Sequence, residues 1–380
     1  MKSLKRFGII STLGLMVILA WGSVGVSHNG HSKVQMDTKP PIAQLLPFEA
    51  GSHRPQSPTQ ITVWAIGETE LPVNNAKIRL QLLAPSPTPW LTTDFPIVEG
   101  TKLLEIEAMA PNGELQIQQM LPIRGTYQVV VDAAPVIPNQ FEPIHQTLAL
   151  SVGENGSKYR NAAILVAVLL AIGFAGGWII AAPQTIRPGE VAPRRVQLLL
   201  SGAAVLAIAA LLIVNLTSAS GHEHTHTHAP EVAPATQTSQ GLTLELSGDT
   251  EAIVGQPATQ TIRIQDATTG RPVQNVLLKI QAISLEDGWT AFAYQGMPDA
   301  TGQLTWQQQF FDGAPHQISV EVSPQPNSSR QFQPLRVEHS VDVEAIQPPL
   351  TVQIITLAYG TLIFWIGLAI GFKVRRSQKM

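Results

Sequence analysis

The chain has 380 residues, no cysteine and a formal charge of −3, with 44% apolar and only 13% charged residues. An ordinary soluble domain carries roughly 25% charged residues, and here the longest apolar runs fall in four stretches set between polar, Pro- and Gly-bearing segments. That excludes a single soluble globular enzyme, a disulfide-stapled module and a coiled coil; the lack of a basic footprint argues against a nucleic-acid partner.

The first apolar stretch, Phe7–Val26, follows Lys2, Lys5 and Arg6 and ends in small residues at Gly22, Ser23 and Gly25. It reads equally as a membrane anchor or as a signal peptide cut after Gly25. Three further stretches follow, Ala162–Ala182, Val196–Asn215 and Val352–Phe372, none with an acidic or basic side chain. Each is about 20 residues long, enough to cross a bilayer. The short pieces between and after them are basic: Arg187, Arg194 and Arg195 against Glu190 in one, Lys373, Arg375, Arg376 and Lys379 in the other. The two long segments are acidic, with twelve acidic against nine basic residues in 28–160 and fourteen against five in 218–350. Basic pieces mark the cytoplasmic side, so both long segments are expected outside a plasma membrane that the chain crosses several times. Gly173 and Gly177, and again Gly367 and Gly371, have the spacing that lets two helices approach closely.

The two outside segments read as copies of one unit. Asn112-Gly113-Glu114-Leu115 parallels Thr301-Gly302-Gln303-Leu304; Pro72-Val73-Asn74-Asn75 parallels Pro272-Val273-Gln274-Asn275; Phe141-Glu142-Pro143-Ile144 parallels Phe332-Gln333-Pro334-Leu335. Order is kept and spacing is similar. Within each copy, short alternating runs are bounded by Pro, Gly and Asn, the pattern of antiparallel strands. These runs are Gln60–Ile66, Lys77–Leu83, Leu103–Met109, Glu114–Met120 and Tyr127–Asp132, then Leu242–Leu246, Thr259–Ile264, Val276–Ile283, Gln303–Phe310 and Gln317–Val322. The fold class expected is therefore α-helical membrane anchors plus two all-β sandwich domains made by internal duplication.

The division expected is a signal peptide or anchor (1–27), a His- and Pro-bearing linker (28–47) and a first sandwich (48–160). A spanning helix (161–182), a cytoplasmic loop (183–195) and a second helix (196–217) follow. A His-rich linker (218–240), a second sandwich (241–350), a last helix (351–372) and a cytoplasmic tail (373–380) complete the chain. Both linkers are expected to lack regular structure, and the second copy is expected to fold alone. Thr269-Gly270-Arg271-Pro272-Val273, followed by a strand and then by Asp299-Ala300-Thr301-Gly302-Gln303-Leu304, resembles the immunoglobulin-like modules of the carboxypeptidase-regulatory and transthyretin-like kind. The first copy keeps only the Pro-Val and the Asn-Gly turn. Such modules bind or brace, and the resemblance implies no chemistry.

Enzymatic signatures are missing. There is no thiol, no phosphate-cradling loop and no nucleophile elbow, so a non-enzymatic protein is expected. Glu105 and Glu107 read as exposed positions on one strand face.

Histidine stands out. Six of the ten lie in two clusters, His28 and His31, then His222, His224, His226 and His228. Both clusters sit just after an odd-numbered apolar stretch. Imidazoles are ligands for Ni²⁺, Co²⁺, Cu²⁺ and Zn²⁺, and a flexible tether can fold several onto one ion. These six are the candidate metal ligands, with the transition-metal cation as cargo. His222-Glu223-His224-Thr225-His226 satisfies the metalloprotease pattern formally, but Gly221 and Pro230 flank it and nothing there favours the helix that pattern needs. If cleavage occurs after Gly25, the new terminus Val26-Ser27-His28 would suit square-planar Ni²⁺ or Cu²⁺. His53, His145, His316 and His339 read as isolated surface or strand residues.

The whole arrangement of outside modules, His-bearing tethers and a few packing helices resembles the auxiliary membrane subunits of bacterial energy-coupling-factor nickel/cobalt uptake transporters. That resemblance implies capture of Ni or Co outside the membrane and delivery to partner transporter subunits. The alternative is a membrane-anchored structural or interaction protein whose His tract is incidental.

Overall fold

Residue alternation decides the strands. In the stretch Ala76–Leu83, Ala76, Ile78, Leu80 and Leu82 are buried while Lys77 and Arg79 are exposed, and Val276–Ser284 buries Val276, Leu278, Ile280 and Ala282 in the same way. Each buried Val, Leu or Ile contributes roughly 1.5–3 kcal/mol relative to exposure. The computed structural model describes residues 32–49, 56–88, 93–182, 234–326, 328 and 330–378, together with 193, 196 and 197. The first and third apolar stretches and the loop between residues 183 and 195 lie almost wholly outside them.

The first copy forms β1 (Lys33–Lys39), β2 (Thr59–Ile66), β3 (Ala76–Leu83), β4 (Lys102–Ala110), β5 (Glu114–Gln119), β6 (Gly125–Pro135) and β7 (Ile144–Val152), followed by α1 (Gly156–Ile180). The second forms β8 (Ala235–Ser239), β9 (Leu242–Gly248), β10 (Glu251–Ile253), β11 (Pro257–Asp266) and β12 (Val276–Ser284). It continues with β13 (Thr290–Gly296), β14 (Gln303–Gln309), β15 (His316–Pro324) and β16 (Leu335–Glu344), followed by α2 (Leu350–Ser377).

All ten expected strands form. Three expectations fail. The segments 28–47 and 218–240, expected as linkers, contribute strands β1 and β8, which pair antiparallel with β2 and β9 at sheet edges. The two copies are not separate sandwiches either: β5 pairs with β13 and β4 pairs with β14, so two eight-stranded sheets run through both copies. One sheet is ordered β1-β2-β5-β13-β12-β15-β16-β10 and the other β7-β6-β3-β4-β14-β11-β9-β8. One apolar core drawn from both copies lies between them. An excised second copy would leave β13 and β14 with unpaired edges, which are costly to expose. Lastly, α1 begins before residue 161, because Asn155 caps it by accepting from Ser157 N, and α2 runs through the expected tail to Ser377.

The duplication is visible in matched hydrogen bonds. Gly113 and Gly302 have φ of +67° and +70°. The Gly113 carbonyl accepts from Ala65 N at 2.9 Å, and the Gly302 carbonyl accepts from Ile264 N at 2.8 Å. Val73 N donates to Ala65 O, and Val273 N to Ile264 O, at 2.8 and 3.1 Å. A side chain at Gly113 would place Cβ 2.3 Å from the Val73 carbonyl, and at Gly302 2.6 Å from the Ile264 carbonyl. Exchanging each strand with its counterpart in the other copy, β5 with β14 and β4 with β13 at the centre, carries seven strands of one sheet onto seven of the other and leaves out only the edge strands β8 and β10, the signature of an internal two-fold.

The strand registers put the ends of β7 and β16, and therefore the starts of both helices, at one end of the body. The helices run parallel and pack glycine to glycine. Cβ atoms at Gly173 and Gly177 would meet backbone of Phe364 and Leu368 at 2.2 and 2.0 Å, and at Gly367 and Gly371 backbone of Leu170 and Phe174 at 2.5 and 2.1 Å. Glu49 ties α1 to the body through the side chains of Asn155 and Ser157, and Lys158 pairs with Asp94.

Candidate functional site

The candidate ligands His28, His31, His222, His224, His226 and His228 lie outside the described residues, as do His53 and the metalloprotease-like run. What flanks them is fixed. Ala235 pairs with Leu246 and Ser239 with Leu242, so β8 starts at the helix end of the body and runs away from it. Six residues lie between His228 and Ala235, seven steps of chain with a reach of at most about 25 Å. The His222–His228 tract is thus tethered between the third apolar stretch and the helix end of the sandwich. His31 is different. Lys33 pairs with Ile66, so β1, the strand that follows His31 in sequence, starts at the far end of the body.

Among the described residues no group of three or more His, Asp or Glu side chains is placed to hold a metal ion. The remaining histidines have local partners. His145 is not isolated: it is the cross-strand partner of Asp132, with Nδ1 2.5 Å from Oδ1, on an exposed face. His339 Nε2 lies 3.2 Å from the Asp249 carbonyl. His316 is fully buried, not at the surface. Its Nδ1 donates to the Ala314 carbonyl at 2.7 Å, and its ring packs against Phe310 and Trp289 at centroid distances of 4.6 and 5.6 Å. Burial pushes its pKa down to about 4, only partly offset by the Ala314 carbonyl, so the ring is neutral and its Nε2 finds no hydrogen-bond partner among the described residues.

That ring belongs to an aromatic cluster built by both copies at the helix end. Phe48 lies 4.9 Å from Trp289 and 5.2 Å from Phe311, and Phe95 lies 5.2 Å from Phe311. Nearby, the Asp312 carboxyl is raised above its ordinary range by burial and by Glu286 and Asp287. Tyr127 carries the bracing of the first copy: its hydroxyl donates to Ile123 O at 2.6 Å and accepts from Ile123 N at 3.0 Å.

Glu105 and Glu107 form an ion ladder instead of a free exposed face. Glu107 pairs with Lys77, and Glu105 pairs with Arg79 and Lys102 beside the seam. Partial burial raises the Glu105 pKa, but the hydrogen bonds from Lys102 and Arg79 outweigh it and hold the carboxyl below its usual range. Lys102 also donates to Gln307 at 3.0 Å, and Thr101 to Gln309 at 2.7 Å, which stitches the two copies together. These are structural charges.

A groove of about 810 Å³ lies at the far end of the first copy, lined by Glu68, Leu71, Pro72, Pro138, Phe141 and Glu142 among others. In the second copy the corresponding loops are tied by Arg330 to Asp266, whose carboxyl is held well below its ordinary range by Arg330 and by Thr268 and Thr269.

No protein-family model matches the sequence, and no curated protein does. Among solved structures, similarity is found to a conjugative transposon lipoprotein from Bacteroides eggerthii, at 11% identity over 27% of this chain and 98% of that one, with a TM-score of 0.20. It is also found to the Yersinia pseudotuberculosis adhesin InvE, at 12% identity over 82% of this chain and 60% of the adhesin, TM-score 0.19. Trypsin-activated alpha-2-macroglobulin from Escherichia coli matches at 10% identity over 82% of this chain and 16% of its own length, TM-score 0.22. Scores this low carry no functional argument.

Proposed function

We propose that this chain is a non-enzymatic accessory protein of a bacterial plasma membrane. It captures a transition-metal cation, Ni²⁺ or Co²⁺ foremost, outside the membrane and assists its uptake by partner transporter subunits. The reading is supported by the composition of residues 222–228 together with the position of the strand that follows them. Four alternating imidazoles stand on a tether whose far anchor, Ala235, is at the end of the body from which both apolar helices leave. A cation captured there is held near the membrane surface, where a transporter would receive it.

Membrane anchoring is supported by two apolar helices of 25 and 28 residues, each long enough to cross a bilayer. The outer face of α2 carries Leu350, Leu357 and Trp365, which are 73%, 72% and 59% exposed, and α1 exposes Ile164, Leu165 and Ile172. Water would not tolerate that surface, and lipid would. The basic ends of these segments favour an outside location for the sandwiches. Each copy is read as one immunoglobulin-like unit, and the bracing of Tyr127 against the chain a few residues upstream is a habit of such sandwiches. The sequence has no nucleotide-cradling loop, so the energy for uptake belongs to the partner.

A purely structural or interaction role is the second reading. It is favoured by the far-end groove, whose lining exposes Leu71 at 65%. Metal accumulation by intact cells separates the two. Cells carrying the chain should accumulate more Ni²⁺ or Co²⁺ than cells carrying the variant with His222, His224, His226 and His228 all changed to Ala. Equal accumulation would leave only the second reading.

A further inference from the structure

The end of the helix pair opposite the sandwich carries a second arrangement that capture of a metal does not use. α2 outlasts α1 and closes with Lys373, Arg375 and Arg376. The Arg375 guanidinium turns back over α1 and lies 4.8 Å above the Trp178 ring, which itself packs against Phe174 at 5.8 Å. Arg376 lies 4.8 Å over Phe372. No acidic side chain occurs between Glu154 and Glu190 or after Glu344, so the described residues offer these cations no carboxylate. The Arg375 Nε is buried and has no hydrogen-bond partner among the described residues.

A guanidinium over an indole can still offer its two terminal nitrogens, whose N–H donors suit two oxygens of one phosphate. The distance along the helix agrees. Arg375 lies 23 residues after Val352, about 35 Å at 1.5 Å per residue, against roughly 30 Å of hydrocarbon. That depth is where phosphodiester groups lie, and Trp178 occupies the level where indoles are enriched.

We infer that Lys373, Arg375 and Arg376, with Trp178 as platform, form a binding site for the phosphate of an anionic phospholipid. The inference rests on the membrane reading above and adds to it a ligand and a role. One headgroup bridges the ends of α1 and α2 and holds the glycine-packed pair closed.

The test uses the full chain in bilayer discs of phosphatidylcholine mixed with phosphatidylglycerol, with the lipids that stay bound after release counted by native mass spectrometry. Retained phosphatidylglycerol should exceed its share of the bilayer by at least about fivefold, one cation's worth of surface attraction. Arg375→Gln should bring that ratio down, and Lys373→Gln with Arg376→Gln should lower it further, while millimolar inorganic phosphate should not compete. Retention at the bulk ratio, or retention unaffected by Arg375→Gln, overturns the site. Displacement by inorganic phosphate overturns the lipid as its ligand. A chain that enters the discs but shows no preference defeats this inference alone; a chain that does not enter them defeats the membrane reading as well.

Discussion

His316 gives the sharpest stability prediction. Its ring is sealed among Phe310, Trp289 and the strand pairing of β12 with β15, and its pKa is pushed down to about 4 by burial. An unfolded chain binds a proton on that ring near pH 6.5. Between about 6.5 and 4 the unfolded state therefore holds more protons than the folded one, so stability is complete above that window and falls as pH falls through it. The full loss is about 3 kcal/mol. For a body of this size that corresponds to roughly 6–12 °C in Tm. Asp312, raised by burial and by Glu286 and Asp287, acts with the opposite sign, losing stability as pH rises, so a single melting curve mixes the two. The comparison that isolates His316 is thermal unfolding of the full chain and of His316→Phe across that window. The variant should show a Tm that falls less on acidification, with the difference between the two proteins growing toward low pH. Parallel curves would refute the reasoning.

Gly113→Ala and Gly302→Ala each force a Cβ into a positive-φ turn and onto a carbonyl. Each should cost about 2–4 kcal/mol in thermal unfolding, and a neutral result at either would break the equivalence of the copies. Gly177→Leu sets a side chain against the Leu368 carbonyl and should part the helices. Spin labels on cysteines introduced at Ile164 and Ile354, unique in a cysteine-free chain, should then move apart by an ångström or more, and an unchanged distance would contradict the packing. The start of β1 at the far end bears on the first apolar stretch. From Val26 to Lys33 seven residues reach at most about 25 Å, whereas the strand height plus the exposed start of α1 amounts to about 30 Å. The purified protein should therefore lack residues 1–25, and N-terminal sequencing that finds Met1 would oppose this.

Strands that alternate strongly were legible in the sequence, because one buried face imposes its period on the residues. Edge strands were not. Lys33–Lys39 buries only Val34 and Thr38 fully, and Ala235–Ser239 buries nothing fully, so both resemble polar linkers in composition. The seam between the copies left no apolar signature either, since β5–β13 and β4–β14 are joined through backbone groups that every residue carries. A signal was present in Gln118-Gln119 and Gln307-Gln308: Gln119 and Gln308 are buried beside the seam at 2% and 3% exposure, an unusual position for a polar side chain. The glycine pairs of the helices were readable because close approach admits no other residue. The His145–Asp132 pair depends on register, which composition does not reveal. The burial of His316 depends on the rings of Phe310 and Trp289, and Trp289 in turn packs against Phe48, far away in sequence. The six clustered histidines were visible as composition alone, and their anchorage became clear only with β8 and β1 in place.

Metal binding by the intact tether is the most direct test. The full chain and the variant with His222, His224, His226 and His228 changed to Ala should be titrated calorimetrically with Ni²⁺, Co²⁺, Zn²⁺ and Cu²⁺, at about pH 7.5 and about pH 5.5, on either side of the ordinary imidazole pKa. The account predicts moderate affinity with fast exchange at the higher pH, at least about tenfold weaker binding at the lower, and loss of that binding in the variant. Equal heats from both proteins, or affinity unchanged by acidification, would contradict it.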